Sequence, residues 1–360
     1  MMIEVRDVRK EFKTPVVKEG RFSGLRTLFS REYKTKEAVR GISFQVEPGE
    51  FLGYIGPNGA GKSTTIKMLS GILHPTSGEV LIRGRNPHKE RRAVVKNVGV
   101  VFGQRSQLWW DLPVKDSYDI LAKMYGVDES EKRRRLDQFA ELLDLRSFWE
   151  TPVRKLSLGQ RMRADLAAAM LHDPELLFLD EPTIGLDVNA KRSIREFLTL
   201  LNKDFGKTVL LTTHDMDDIE QLCSRVMVIN NGGLTYDGTI QSLRDTIGLP
   251  SLITVTYRGA FQVPEVYGAA AEEALSTSSA AVALAATAAT SSAASAVERD
   301  TNLRRLPIRV VGITGNMVTV EANRSEINTL DVMKELGSWG ELDDIDMKDP
   351  DFEDIIHKVY

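Results

Sequence analysis

The 360-residue sequence lacks most features that mark secreted, metal-cluster or membrane-spanning proteins. It contains one cysteine, Cys223, which excludes a disulfide framework and any metal site built from several cysteines. It has no run of about twenty strongly apolar residues, so no membrane-spanning helix is expected. Its charged beginning, Met1–Asp7, predicts no signal peptide. The formal net charge of -4 differs from the strongly basic balance of proteins that bind nucleic acid through bulk charge.

The first two thirds of the chain alternate short apolar runs with helical patterns. Strand-like runs such as Phe51–Ile55 and Leu176–Leu179 are separated by amphipathic stretches such as Lys62–Leu69. This alternation is typical of an α/β domain with a largely parallel sheet. We expect that domain to span residues 1–245, with a helical subdomain at about 105–170.

The pattern changes after this domain. Leu252–Tyr257 and two later runs joined by a Thr-Gly-Asn turn are typical of strands, and Glu326–Leu336 is typical of a helix. Residues 264–300 consist mainly of Ala, Ser and Thr, which bury too little apolar surface to order a segment. We therefore expect a small α+β domain at 246–360 that contains a flexible insertion at about 264–300.

The most informative motif is a glycine-rich loop between a strand and a helix. Residues 56–64 fit the pattern Gly-x4-Gly-Lys-Ser/Thr, whose glycines let backbone N–H groups converge on phosphate oxygens at a helix N-terminus. Lys62 is expected to place its charge on the β- and γ-phosphates, and Ser63 to offer its hydroxyl to Mg²⁺. A glycine-rich turn without a ligand is the alternative, which the strand–loop–helix context disfavours. The predicted nucleotide contacts of the loop are Gly56, Pro57, Asn58, Gly59, Ala60, Gly61, Lys62, Ser63 and Thr64.

Two carboxylates follow the apolar run Leu176–Leu179. A buried strand that delivers Asp180 to the carboxyl edge of the sheet suits the Mg²⁺ ligand of a phosphate-loop NTPase. Glu181 points to the other side of the pleat, where it could orient and deprotonate an attacking water. The alternative is an exposed acidic pair at a strand end with no function. That interpretation is the weaker one, because the pair occurs in the same sequence as a phosphate loop.

The segment Leu156–Gln160 reads Leu-Ser-Leu-Gly-Gln and stands directly before a helix rich in Ala and Leu. It resembles the signature motif of the ATP-binding cassette (ABC) ATPases, whose pattern is Leu-Ser-Gly-Gly-Gln. Leu158 departs from that pattern. Ser157 and Gly159 remain, and in the family the serine hydroxyl and the second glycine's N–H contact the γ-phosphate.

Further family marks follow in the expected order. Gln104 matches the Q-loop glutamine, Gly185-Leu186-Asp187 matches the D-loop, and His214 matches the switch histidine. Tyr33 stands where the family has an aromatic residue that stacks on adenine. The resemblance implies a P-loop NTPase with a RecA-like core and a helical subdomain, in which two copies meet head to tail around two ATP molecules. It implies catalytic roles for Lys62, Gln104, Glu181 and His214, further nucleotide contacts from Tyr33, Ser157, Gly159, Gln160 and Asp187, and Mg²⁺ ligation by Ser63, Gln104 and Asp180.

Three segments together, Gly103–Pro113, Leu156–Arg163 and Asp180–Asp187, look like those of a bacterial branch of ABC ATPases that partner with separately encoded permeases of the ABC-2 exporter type. That resemblance implies a peripheral ATPase on the cytoplasmic face of the inner membrane, which powers export of drugs, lipophilic cations or similar compounds. It implies transmembrane permease partners and a second ATPase subunit, most simply a homodimer, with no nucleic acid and no direct contact with the transported substrate. The closing run Asp343–Tyr360 resembles a tail that is regulatory or dimer-stabilising in drug- and sodium-exporter ATPases.

Adjacent tryptophans, Trp109 and Trp110, are large anchors of the kind enriched at interfaces. We expect one of them to pack inside the helical subdomain and the other to stay exposed. The basic segment 13–36 could lie against anionic headgroups or the permease, or it could be a solvated loop.

Other functions stay open at this point. A soluble ABC ATPase that acts on ribosomes or DNA is disfavoured by the single phosphate loop, the single signature and the lack of cysteine clusters and heptads. A nucleotide kinase leaves the signature, Q-loop and switch histidine unexplained. A transporter for an ion, lipid or polysaccharide is a further alternative, because the substrate is bound by another chain.

Overall fold

The computed structural model describes residues 1–15, 33–103, 105–264, 267, 306–323 and 326–359. These residues form two compact units, Met1–Ile240 and Gln241–Lys358. Gln104 and most of the segments 13–36 and 264–300 lie outside the described residues. Within the described part of the chain, no helix combines the length and the apolar character needed to cross a membrane.

The first unit contains nine strands and seven α-helices among its described residues. In chain order its strands are β1 (Ile3–Pro15), β2 (Tyr33–Val46), β3 (Phe51–Ile55), β4 (Ser77–Ile82), β5 (Val98–Phe102), β6 (Leu176–Asp180), β7 (Thr208–Thr212), β8 (Arg225–Asn230) and β9 (Gly233–Gly238). Its helices are α1 (Lys62–Leu69), α2 (Arg91–Val95), α3 (Val114–Tyr125), α4 (Glu129–Ala140), α5 (Leu158–Met170), α6 (Val188–Lys203) and α7 (Met216–Leu222). Short 3-10 turns at Leu145–Ser147 and Val153–Lys155 connect α4 to α5.

A six-stranded sheet in the order β5-β6-β7-β3-β8-β9 carries the site. Its first five strands pair in parallel and β9 pairs antiparallel at the edge. Every residue of β3 and β7 is buried, as expected for parallel strands that are covered on both faces. The carboxyl ends of β3, β6 and β7 therefore lie along the same edge of this sheet.

A second, antiparallel sheet in the order β2-β1-β4 shares a hydrophobic core with the first. Val5 and Ile42 from the antiparallel sheet pack with Tyr54 and Leu210 from the parallel sheet and with Ile66 of α1. Alternate residues of β2 are buried toward its carboxyl end, which is the pattern of a strand with one covered face. This core holds α1, and therefore the phosphate loop, against both sheets.

The segment between β5 and β6 is mainly helical and contains α3, α4 and α5. Tyr118 of α3 is fully buried, and its hydroxyl donates to the carbonyl oxygen of Ala164 on α5 at 3.0 Å. The ring of Trp149 meets the Tyr118 ring edge to face at 5.5 Å between centroids. These contacts join α3 to the helix that follows the signature segment.

The second unit is an antiparallel sheet with helices. Its elements are α8 (Ile240–Ile247), which begins at the boundary, β10 (Ser251–Tyr257), β11 (Ile308–Thr314), β12 (Met317–Ala322), α9 (Thr329–Trp339), β13 (Leu342–Lys348) and α10 (Phe352–Val359). The strand order is β11-β12-β10-β13, and the buried face includes Val255, Tyr257, Val320 and Leu336. The predicted α+β class agrees with this arrangement. Strand β13 was not predicted, because six of its seven residues are exposed and three of them are aspartates.

Candidate nucleotide site

The phosphate loop joins β3 to α1, and two of its glycines are required by close backbone packing. A Cβ atom on Gly56 would lie 2.1 Å from the carbonyl oxygen of Ile229. Gly61 has a φ of 114° and approaches the carbonyl oxygen of Ala38, from which a Cβ would lie 2.6 Å. By contrast, Gly59 has open space beside it. The loop is thus fixed at both ends and open at its tip.

The N-terminus of α1 has the properties of an anion site. Its N-cap residue, Gly61, provides no capping side chain, so the first N–H groups of the helix have no side-chain acceptor there. The Lys62 ammonium donates to the carbonyl oxygens of Gly56 at 2.5 Å and Pro57 at 3.3 Å. Burial lowers the pKa of Lys62, while the nearby carboxylates of Glu181 and Asp180 oppose that effect. A phosphate group would supply the anionic partner that this buried ammonium lacks within the loop.

Oxygen donors suited to Mg²⁺ meet beside the loop. The Ser63 hydroxyl donates to Asp180 Oδ1 at 3.1 Å, and the Thr212 hydroxyl donates to the same atom at 2.7 Å. Among the described residues, no group of three His, Cys, Asp or Glu side chains could hold a metal by itself. The oxygens of Ser63 and Asp180 suit Mg²⁺, which is usually bound by one or two protein oxygens together with phosphates and water.

Gln104 lies outside the described residues, but its preceding neighbour is fixed. The Gly103 N–H donates to the carbonyl oxygen of Asp180 at 2.7 Å. A Cβ atom on Gly103 would lie 2.2 Å from the carbonyl oxygen of Glu181, so only glycine fits this approach. The chain leading to Gln104 is therefore held at the carboxyl end of β6.

Glu181 and His214 form a pair at the same edge of the sheet. Glu181 adopts a left-handed φ of 57°, which is rare for a residue other than glycine and marks a constrained backbone. Its N–H donates to the carbonyl oxygen of Thr212 at 2.9 Å, and its Oε1 atom lies 2.8 Å from Nε2 of His214. The exposed fractions of the His214 and Glu181 side chains are 41% and 20%, so the pair can be reached from solvent.

A buried carboxylate that the sequence analysis missed holds this pair in place. Asp218 is fully buried and accepts hydrogen bonds from the hydroxyls of Thr183 at 2.5 Å and Thr213 at 3.2 Å. Arg195 of α6 donates to its other oxygen at 2.5 Å. Thr183 follows Glu181 closely and Thr213 precedes His214, so one side chain positions both segments. The sequence signal was the pair of apolar residues, Met216 and Ile219, within the acidic run 215–220.

The signature segment forms the N-terminus of α5. Ser157 caps the helix by accepting from the N–H of Gln160 at 3.2 Å, and the Gln160 side chain accepts from the N–H of Ser157 at 3.0 Å. Ser157 is exposed. This capping box presents the serine and the following N–H groups to solvent.

The D-loop packs against the signature segment within the same chain. Gly185 has a φ of 70°, and a Cβ there would lie 3.1 Å from Cδ2 of Leu158. A Cβ on Gly159 would lie 3.2 Å from the Cβ of Ala190 on α6. The departure at Leu158 thus has a local reason, because this side chain covers Gly185. Asp187 caps α6 by accepting from the N–H of Ala190 at 2.9 Å.

The structure collects the predicted residues in two groups. The first group, at the carboxyl edge of the parallel sheet, comprises the phosphate loop with Lys62 and Ser63, together with Asp180, Glu181 and His214. The second group comprises Ser157, Gly159, Gln160 and Asp187, whose contacts are with α5 and α6. Tyr33 begins β2 opposite Pro15, with 57% of its surface exposed. A strand–loop–helix phosphate site beside a strand-end carboxylate defines a phosphate-loop NTPase.

Comparison with known proteins identifies the family. The ABC transporter family pattern matches residues 39–184. The ABC transporter ATP-binding protein NatA of Bacillus subtilis (strain 168) is 32% identical over 218 residues, which cover 61% of this chain and 88% of NatA. Nod factor export ATP-binding protein I of Burkholderia pseudomallei (strain 1710b) is 40% identical over 214 residues, which cover 59% of this chain and 69% of that protein.

A solved structure agrees. A dimeric ATP-binding cassette in a post-hydrolysis state, bound to ADP and Pi, is similar with a TM-score of 0.56 and 25% identity, over 66% of this chain and 98% of that one. The chain belongs to the ABC transporter family. It is an ABC ATPase, the ATP-binding subunit of a transporter, and the P-loop NTPase fold predicted from the sequence is confirmed.

Proposed function

We propose that this chain is the ATPase subunit of an ABC-2-type exporter, which closes head to tail with a second copy on binding Mg-ATP and drives separately encoded permease subunits. The observation that carries this proposal is the division of the site. The catalytic group is assembled at the sheet edge, while the exposed Ser157 stands with the D-loop in a separate group. A second copy, turned head to tail, supplies the missing group to each nucleotide.

The apolar surface around the D-loop supports such a contact between copies. Ile184 and Val188, on either side of Gly185 and Asp187, are 41% and 80% exposed. Large exposed apolar side chains beside a functional loop are typical of an interaction surface. Closure of the two copies covers these side chains and brings the signature of one copy to the phosphate loop of the other.

Within the assembled site, each residue of this chain has a distinct task. Lys62 and the N-terminus of α1 neutralise the charge of the phosphates. Glu181 accepts the proton of the attacking water, and His214 holds the Glu181 carboxylate in position through their hydrogen bond. Ser63 and Asp180, together with Gln104, would hold Mg²⁺, which would supply positive charge to the phosphates. The γ-phosphate favours the closed dimer, and its hydrolysis removes the contacts that hold it closed.

The tryptophan surface, formed by Trp109 and Trp110, is the proposed docking site for the permease. The two side chains are 37% and 53% exposed, so the expectation that one of them is packed inside the helical subdomain was wrong. The guanidinium of Arg161 lies 5.8 Å from the centre of the Trp110 ring, and Arg154 pairs with Asp111 at 2.8 Å. Aromatic anchors flanked by arginines fit a short amphipathic helix from a membrane subunit.

Relatives support an exporter, since one is named for Nod factor export and another, LnrL of Bacillus subtilis (strain 168), for linearmycin resistance. On this basis we assign the chain to the cytoplasmic face of the membrane, without nucleic acid and without direct contact with the transported compound. Drugs, lipophilic cations and similar compounds are the proposed cargo class. The second unit is the proposed regulatory or dimerising domain.

The test is a pull-down of tagged Glu181→Gln from detergent-solubilised membranes of the native host with Mg-ATP, followed by mass spectrometry. Recovery of polytopic permease subunits is expected. The matched control adds Trp109→Ala and Trp110→Ala, which should lose the permease while ATP-dependent dimerisation remains. Recovery of ribosomal or DNA-bound proteins without a membrane partner would contradict the proposal.

A further inference from the structure

We infer that Asp165 is a positioning residue that ties the segment after Gln104 to the signature helix α5, so that movement of the tryptophan surface and movement of Ser157 are linked. The linkage to a permease rests on the proposed function above. The linkage inside the chain stands on its own geometry.

Asp165 is a buried carboxylate with three hydrogen bonds to two consecutive residues. It is 4% exposed, and its Oδ1 atom accepts from the Ser106 hydroxyl at 2.9 Å and from the Gln107 N–H at 3.0 Å. Its backbone carbonyl oxygen accepts from the Gln107 side chain at 2.9 Å. The Ser106 hydroxyl oxygen accepts in turn from the N–H of Leu108 at 3.1 Å. Residues 106–108 are thus wrapped around one side chain of α5.

The same segment is fixed at both of its ends. On one side, Gly103 is bonded to the carbonyl oxygen of Asp180 at 2.7 Å. On the other side, the N–H of Trp109 donates to the hydroxyl of Ser117 on α3 at 3.2 Å. The described residues on either side of Gln104 are therefore held at the sheet edge and at α3, and Asp165 attaches residues 106 and 107 to α5.

Asp165 lies on the same helix as the signature serine. Asp165 follows Ser157 by eight positions, which is a rise of about 12 Å along one uninterrupted α-helix. Arg161 stands one turn from each of them, and its guanidinium covers the ring of Trp110. A displacement of residues 106–110 is thus passed to α5 at two points, Asp165 and Arg161.

Packing alone does not explain a carboxylate at this position. Its neighbours on α5, Ala164, Leu166 and Ala167, are buried and apolar, and an alanine would continue that pattern at lower cost. Burial raises the pKa of Asp165 to about 6, while hydrogen bonds from Gln107 and Ser106 and the charge of Arg161 oppose this effect. Tyr118 of α3 is the other titratable group that faces it. Hydrogen bonds from this segment to a side-chain oxygen of α5 are the feature that an alanine cannot supply here.

The first test uses the full chain alone. In the Glu181→Gln background, Mg-ATP is expected to change the fluorescence of Trp109 and Trp110, and a parallel chain with both replaced by Phe identifies their share of the signal. Adding Asp165→Ala should reduce this change at least fivefold at unchanged ATP affinity. Asp165→Asn, which keeps an acceptor for Gln107, should retain most of it. Thermal unfolding checks that each variant is folded, and Ser106→Ala breaks the same link without altering α5.

Either of two results in this first test would overturn the inference. A nucleotide-dependent change of wild-type size in folded Asp165→Ala and Ser106→Ala, or no change in the parent chain, overturns the inference whether or not a permease exists.

The second test measures ATP hydrolysis of the chain with its co-purified permease. Asp165→Ala should keep basal hydrolysis within about twofold and lose permease stimulation, with rescue by Asp165→Asn. Failure to recover any permease with the parent chain contradicts the proposed function and leaves the fluorescence test to decide the role of Asp165.

Discussion

The Nε2 atom of His214 lies 2.8 Å from the Oε1 atom of Glu181, although the two residues come from loops after different strands. The left-handed backbone of Glu181 and the buried Asp218 both serve this contact, since one turns the carboxylate and the other holds the flanking threonines. In its proposed role of general base, Glu181 is held in place before the nucleotide arrives. The pair therefore defines the most direct test of the catalytic assignment.

Replacing Glu181 by Gln should reduce ATP hydrolysis about 10²–10⁴-fold, because the amide cannot accept the proton of the attacking water. ATP binding should remain, since Lys62 and the phosphate loop are untouched. His214→Ala should cause a similar loss, and the double variant should be little worse than either single one, because the two side chains act as a unit. Phosphate release measured with saturating Mg-ATP checks this. Multiplicative losses in the double variant would show that the residues act independently.

The contact between Leu158 and Gly185 predicts an asymmetric effect of alanine at two glycines. Gly185 and Gly206 both have left-handed φ values, 70° and 62°, but only at Gly185 would a Cβ meet a neighbour, at 3.1 Å from Leu158. Both alanine variants should lose about 1 kcal/mol of stability from backbone strain. Only Gly185→Ala should also displace the D-loop and slow ATP hydrolysis. Equal turnover in the two variants would contradict a functional role for this contact.

The buried Asp165 predicts a pH-dependent stability between pH 4 and 6. Its pKa in the folded chain is about 6, above its ordinary value of 3.8, so in this range the folded state binds more protons than the unfolded state. The free energy of unfolding should therefore fall as pH rises from about 4 to 6, by up to about 3 kcal/mol, and change no further from this group above that range. Asp165→Asn should remove this component. Denaturant unfolding of both chains across the range, compared as a difference, isolates it.

The sequence predicted the functional residues that belong to short motifs of consecutive residues. Lys62, Ser63, Asp180 and Glu181 stand in short patterns at the ends of apolar strands, and the structure brings them to one edge. Asp165 and Asp218 were missed because an acid in a helix is usually solvated, and only the tertiary packing of α5 and α7 buries these two. Such contacts between distant segments leave no local pattern.

The same reasoning explains two errors outside the catalytic group. Strand β13 has too few apolar residues to be recognised, because it lies at the edge of its sheet and is identified by its pairing with β10. Both Trp109 and Trp110 remain exposed because their segment is fixed by polar contacts of Ser106 and Gln107 rather than by an aromatic anchor. Two adjacent tryptophans indicated an interface, but how far each side chain is buried depended on the surrounding helices.

The last prediction follows from the proposed division of the site between two copies of the chain. Ser157→Arg should bind ATP normally but fail to hydrolyse it, because the bulky charge blocks the neighbour's site and not its own. Glu181→Gln should also be inactive, because its own site lacks the general base although its signature segment is intact. When the two variants are mixed, a head-to-tail dimer pairs the intact catalytic group of the first with the intact signature of the second, and ATP hydrolysis should reappear.

The control for this mixture is a chain that carries both Ser157→Arg and Glu181→Gln. When this chain is mixed with either single variant, every site formed between two different chains contains at least one defect. Specifically, the doubly substituted chain mixed with Glu181→Gln has no intact general base and must stay inactive. Recovery of hydrolysis in the first mixture and not in this control establishes that each site takes residues from two chains. Full activity of Ser157→Arg alone would instead place the whole reaction within one chain.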